Sequence, residues 1–274
     1  MIFDKPTFDR LREIVFRTDA AGRPTYPGYK PSVVEAPNGD GKLDRDKRYA
    51  HVATKYLNAW GSPARMSPLD AEHWWFLKLK LNRCHAEAVR VHAALGLPDE
   101  WRPDLDASAL RILEYPPGAT SARHTDFDLF TLVCYRDPYP GGLVRYAENG
   151  PGNTDNPVRA ADAISPGIHF GELFELGGFG AATPHDVRAL PDRECAPDGD
   201  GWQFSAVYFA LPRHDLVLPD GRKVGPQTEP GTYLHDRMSR SRVNPLQDFY
   251  DRNSRVQGDP LKIRQRLRGS NRNR

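Results

Sequence analysis

With 274 residues, 39% of them hydrophobic and five of them tryptophan, the chain is long enough to bury a core as one large domain or two small ones. A net charge of +2 sets up no overall field that would recruit nucleic acid or an acidic membrane, and no apolar run approaches the roughly 20 residues that span a bilayer. The opening MIFDKPTFDR carries acids where a secretory leader needs an apolar stretch, so the expected location is the cytoplasm. The three cysteines, Cys84, Cys134 and Cys195, form no CxxC pair and fit reduced packing residues better than a disulfide framework or a zinc cluster.

Phe8 to Phe16 has helical character, and AGRPTYPGYKPSVVEAPNGDGKLDRDKR after it reads as irregular lid or loop. Ser67, Pro68 and Asp70 then make a helix start, Leu77, Leu81, Cys84, Ala88, Val91 and Leu95 recur at helical spacing, and Gly96 and Pro98 end it. This predicts an amphipathic helix over about 68–95, on which His85 and His92, seven apart with no acidic partner, have the pattern of packing or surface histidines. From Ser108 onward short strands are expected in ALRILEYP, FDLFTLVCY, GGLVRYA, GIHFGELFEL, ATPHDVRAL and WQFSAVYFALP, separated by turn residues such as PPGAT and PDGDG. The fold class is therefore mainly β with flanking helices (α+β), as a sandwich or double-sheet barrel. Residues 1–100 are expected as a helical and loop segment packing on a core of 101–250, with 251–274 a basic, flexible tail whose charge lacks the stacking aromatics of a nucleic-acid arm.

The chemistry centres on RHTDFDLFTL. A non-haem iron that must hold oxygen and an organic molecule together needs few protein ligands, and two histidines plus one carboxylate on one face leave three positions open. In a strand, residues i and i+2 point to one side, so His124 and Asp126 face the same way. The third ligand should come from a later strand. His185 in ATPHDVRAL stands at the start of an alternating segment, whereas His214 follows a strand end and His169 precedes a Gly171 that suggests a turn, so His185 is the choice.

These residues lie in an order that resembles the iron(II) and 2-oxoglutarate-dependent dioxygenases, in particular the branch of isopenicillin N synthase and aminocyclopropane-carboxylate oxidase. LRILEYPP is similar to that family's Tyr-Pro strand, HTDFDLFTLVCYRDPYPGGLVRY to its His-x-Asp strand and Gly141-Gly142 hairpin, and GIHFGELFELGGFGAATPHDV to the stretch ending in the distal histidine. The resemblance spans about Leu110 to Leu218. It implies a double-stranded β-helix (jelly roll) with Fe(II) held by His124, Asp126 and His185, O2 as oxidant and 2-oxoglutarate as co-substrate. Tyr115 and Ser205 match positions that contact a bound carboxylate, but Gln203 stands where the family carries arginine. A neutral amide cannot neutralise a carboxylate. Arg111 shares the strand face of Tyr115 and is the best replacement cation, for co-substrate or substrate, with an ion pair to Glu114 or Glu172 as the alternative. Arg188 and Arg193 are placed less well.

The expected activity is a non-haem iron(II) oxygenase oxidising a C–H bond of a small molecule by hydroxylation, desaturation or cyclisation, within amino-acid-derived or other secondary metabolism. A carboxylate at position 126 leaves no vacancy for chloride, which argues against halogenation. Charges in YLHDRMSRSR hint at an anionic substrate. Three rivals remain: an iron(II) oxidase that dispenses with 2-oxoglutarate, a non-catalytic jelly-roll binding protein, and a zinc hydrolase, the last weakened by the lack of an HExxH motif.

Overall fold

The computed structural model describes residues 2–30, 48–115, 119, 121–136, 143–146, 157–158, 167–187 and 203–241. The chain divides into Met1–Val243 and Asn244–Arg274, and every described residue belongs to the first unit. Pro116, the Gly141-Gly142 turn, Arg188, Arg193 and the 251–274 tail lie outside the described residues.

Helix α1 (Lys5–Val15) opens on Asp4, whose carboxylate accepts from the Thr7 amide, and it buries Phe8, Leu11, Ile14 and Val15. Strands β1 (Tyr29–Lys30) and β2 (Arg48–Val52) follow, then α2 (Thr54–Trp60). The long helix α3 (Pro68–Ala94) starts on the Ser67 side chain and buries Leu77, Leu81, Cys84 and Ala88 of the expected stripe, whereas Val91 is partly buried and Leu95, which caps the helix, is exposed. His92 is buried with them, its Nε2 3.1 Å from the Pro98 carbonyl, and His85 packs against the Tyr208 hydroxyl at 3.1 Å, so both are packing residues. No helix among the described residues is long and apolar enough to cross a membrane.

The remaining elements are β3 (Ala109–Tyr115), β4 (Ser121–His124), β5 (Phe130–Arg136), β6 (Leu143–Tyr146), β7 (Pro157–Val158), β8 (Ile168–Phe170), α4 (Glu172–Leu176), β9 (His185–Val187), β10 (Gln203–Ala210) and α5 (Tyr233–Ser241). They form two antiparallel sheets: six strands in the order β1-β2-β3-β10-β5-β8, and four in the order β4-β9-β6-β7.

Two expectations are corrected. The segment expected as lid or loop ends in β2, which pairs along β3 from Arg48 opposite Glu114 to Val52 opposite Leu110. Its Tyr-Ala-His-Val run has no clean polar–apolar alternation, and five residues among Pro, Gly and charge are too short a signal to stand out. GIHFGELFEL is a strand only to Phe170; Gly171 then caps α4, which buries Leu173 and Phe174. A Cβ on Gly171 would fall 2.1 Å from the Asp128 carbonyl oxygen and 2.4 Å from its Oδ1, so the glycine is there for close approach of two chain segments.

Alternation along β3 sorts the two faces of the large sheet. Leu110 and Ile112 join the main core with Leu132, Cys134, Ala206, Tyr208 and the buried stripes of α1 and α3, each large side chain contributing about 1.5–3 kcal/mol by leaving water. On this helix side Glu114 is fully buried, yet its carboxylate is met by Arg12 at 2.7 Å and by Arg48, so its charge is compensated. The other face carries Leu113 and Tyr115, which pack with Tyr49, Val207 and, from the smaller sheet, Val187. The two sheets therefore meet over this inner face.

Candidate metal centre

His124 ends β4 and His185 begins β9, and the two stand directly opposite in the antiparallel ladder. Their rings lie 4.4 Å apart. Asp126 is not on the strand, as the i, i+2 argument supposed, but just beyond its end. The strand ends at His124, and the chain beyond it still brings the Asp126 carboxylate to both rings, with Oδ1 3.8 Å from His124 Nε2 and Oδ2 3.8 Å from His185 Nε2. One donor atom from each of the three lies within 4.8 Å of the others, and Asp126 and His185 are buried. Among the described residues, no other group of three His, Cys, Asp or Glu side chains comes together in this way.

The donor chemistry fits a divalent cation. His185 Nδ1 is 3.0 Å from the Thr183 carbonyl, which can only accept, so Nδ1 carries a hydrogen and Nε2, 3.8 Å from Asp126 Oδ2, is the nitrogen turned toward the site. Burial works to raise the Asp126 carboxyl, but His185, His124, a hydrogen bond from Thr131 and the nearby Arg111 outweigh it and hold the group ionised below its ordinary range.

Thr131, in β5, was not foreseen. Its hydroxyl lies 2.6 Å from Asp126 Oδ2 and 2.9 Å from Asp128 Oδ2. It has one hydrogen. Asp128 is fully buried, and desolvation together with the Asp126 charge pushes its carboxyl well above the usual range. With its one hydrogen, Thr131 can donate to only one of the two carboxyl groups at a time, and its shorter contact is to Asp126. The signal was present in sequence, since Thr131 occupies an inward position of an alternating strand five residues after Asp126, but nothing local said which side chain it would meet.

The co-substrate and substrate candidates share the inner face of the large sheet. Gln203 stands opposite Tyr115, Ser205 opposite Leu113 and Val207 opposite Arg111. Arg111 lies on that face as parity required, its guanidinium 4.6 Å from the Tyr49 ring centre and 4.7 Å from that of Phe209, with Nε donating to His51 Nε2 at 2.6 Å. Neither proposed acid is its partner: Glu114 points to the helix side with Arg12 and Arg48, and Glu172 pairs with Arg237. Tyr49 and His51 reach the site from β2, a strand the sequence reading did not find. Arg237, one of the charges in YLHDRMSRSR, binds Glu172 and the Thr125 carbonyl at 3.4 Å, which removes it as a hint of substrate charge. The His169 ring is buried 4.7 Å from that of His185 but lies outside the ligand group, and His214 is not among the ligands.

No protein-family model and no curated protein matches this chain. Solved structures do. Full-length Neurospora crassa T7H in complex with alpha-ketoglutarate (2-oxoglutarate) superposes with a TM-score of 0.51 at 18% identity, over 89% of this chain and 79% of that one. The same protein with alpha-ketoglutarate and thymine gives a TM-score of 0.52 at 18% identity, over 79% and 75%. JOX2 in complex with 2OG, Fe and JA gives 0.51 at 16% identity, over 87% and 75%. At such identities the likeness is one of fold: this chain shares the sheet-and-helix architecture of these structures, and two histidines and an aspartate converge between its β4 and β9 strands.

Proposed function

We propose that the protein is a non-haem iron(II) oxygenase that uses 2-oxoglutarate to oxidise a small molecule, built on a double-stranded β-helix whose core lies within 101–250. The observation that carries this is the convergence of His124, Asp126 and His185, two imidazoles and one carboxylate, which leaves other metal positions for exchangeable ligands. The presence of 2-oxoglutarate in T7H and JOX2 supports the choice of co-substrate. Order of motifs supports the isopenicillin N synthase-like branch.

Iron held there would supply activation of dioxygen coupled to oxidation of 2-oxoglutarate to succinate and carbon dioxide. The chain's own residues do the rest. The Thr183 carbonyl holds His185 Nδ1, and Thr131 holds one carboxylate oxygen of Asp126. The flat walls of Tyr49 and Phe209 orient Arg111, whose charge reaches Asp126 and is placed to neutralise an organic carboxylate where Gln203 cannot. Tyr115, Gln203 and Ser205 supply neutral hydrogen-bonding groups on the same face.

A second reading, an oxidase in which the substrate supplies all the electrons, is favoured by Gln203. Anaerobic addition of 2-oxoglutarate to the Fe(II)-loaded protein decides. The expected result is a visible metal-to-ligand charge-transfer band, succinate on admitting oxygen, and loss of both in His124→Ala and His185→Ala. Iron binding without the band or succinate favours the oxidase. Iron binding unaffected by either substitution refutes the centre.

A further inference from the structure

The turn that carries Asp126 has no regular structure of its own, yet it must hold a carboxylate in place between two imidazoles. Four consecutive carbonyls of that turn each accept a hydrogen bond from α4 or α5. Arg237 Nη2 donates to Thr125 O at 3.4 Å, the Glu172 amide to Asp126 O at 2.7 Å, the Tyr233 hydroxyl to Phe127 O at 3.0 Å and the Leu173 amide to Asp128 O at 3.0 Å. The two side-chain donors are joined through one acid. Glu172 accepts from Arg237 Nε at 2.9 and 2.8 Å and lies 3.1 Å from the Tyr233 hydroxyl. Its Oε1 also accepts from Thr125 Oγ1 at 2.8 Å, the side chain between the two ligands. The Tyr233 side chain is buried, and the Arg237 side chain is 12% exposed against 26% for Glu172. A partly covered pair with several hydrogen bonds holds its geometry far better than an exposed one.

We propose that Glu172, Arg237 and Tyr233 form a positioning clamp that sets the place of Asp126, so that helix α5, about 110 residues later in the chain, tunes the metal affinity of the His124-Thr125-Asp126 turn. This rests on the metal reading above. None of the three touches a ligand atom; each acts through the backbone of residues 125 to 127. Partners of metal ligands that orient them change metal affinity by about 10- to 100-fold when removed, and a clamp acting through backbone belongs at the lower end of that range.

The test is Co(II) binding to the metal-free full-length protein, read by visible d–d absorption, together with thermal unfolding of each metal-free variant. In the native protein the band should titrate to saturation and be lost in His185→Ala. Arg237→Ala should weaken binding about tenfold and change the shape of the band. Arg237→Lys, which keeps the charge on Glu172 but not the reach to Thr125 O, should recover part of the loss, and Tyr233→Phe should weaken binding to a lesser degree. Native protein and His185→Ala that bind alike refute the metal centre itself. A native site lost in His185→Ala, with Arg237→Ala and Tyr233→Phe both binding as the native protein does, overturns the clamp, even if their metal-free stability falls. Should Arg237→Ala fail to fold, Tyr233→Phe decides by the same criterion.

Discussion

Replacing Thr131 by valine keeps shape and volume in a fully buried position and removes one hydroxyl. In the native protein that hydroxyl donates to Asp126 Oδ2 at 2.6 Å and fills the space 2.9 Å from Asp128 Oδ2. A hydrogen bond to an ionised carboxylate contributes about 1.5–3 kcal/mol. Carried wholly into metal binding, this corresponds to about a 10- to 150-fold loss of affinity. A second cost falls on the metal-free protein, because Asp128 Oδ1 is already buried with no hydrogen-bond partner among the described residues, and the substitution removes the Thr131 hydroxyl from Oδ2. Loss of a hydrogen bond to a buried polar group costs about 1–3 kcal/mol. Anaerobic Fe(II) titration and thermal unfolding of the metal-free form measure the two effects separately. Thr131→Ser, which keeps the hydroxyl, should stay close to the native protein in metal affinity. A Thr131→Val protein that binds iron as tightly as the native one would refute the argument that this hydroxyl fixes the carboxylate.

Gly171→Ala places a methyl 2.1 Å from the Asp128 carbonyl oxygen, so the turn bearing Asp126 must shift. The expected destabilisation is about 1–3 kcal/mol with weakened metal binding, and a variant with native unfolding and native metal affinity would show that the contact relaxes freely. Arg111→Met should raise the KM for 2-oxoglutarate by about tenfold or more, the worth of a lost charge-assisted hydrogen bond, while Fe(II) affinity stays nearly constant. An unchanged KM for both co-substrate and substrate would place the carboxylate-binding cation elsewhere. His73, His85 and His214 are each held below the ordinary histidine value of 6.5, chiefly by burial. Their neutral forms are favoured in the fold, so their contribution to stability is full above that value and is lost as pH falls through it toward the depressed one. Thermal unfolding between neutral and mildly acid pH should show the decline, and His85→Gln should flatten it; an identical pH slope would exclude His85 as a contributor.

Much of the site was legible because its signals are local. His124 and Asp126 are two residues apart, the inward parity of Arg111 with Tyr115 follows from the two-residue period of a strand, and the α3 stripe from Leu77 to Ala88 follows from helical spacing. Even so, parity picked out Asp126 as a candidate for an incomplete reason, since the aspartate lies two residues beyond the end of the strand. The helix α4 was hidden because Glu-Leu-Phe-Glu-Leu is only five residues long and follows directly on the β8 strand, and Gly171 at the junction lies close against Asp128.

By itself, then, the sequence determined which side chains are candidates for the chemistry: the periodicity and turn residues around His124, Asp126 and His185 are properties of short segments that hold wherever those segments pack. What only the tertiary structure decided is what surrounds them. Strand β2 brings Tyr49 and His51 to Arg111 across about 60 residues of chain, Thr131 comes between two carboxylates with a single hydrogen to share, and Arg237 reaches back about 110 residues to the Thr125 carbonyl. Such contacts depend on ladder register and on which groups can be desolvated together, and those are set by the assembled core.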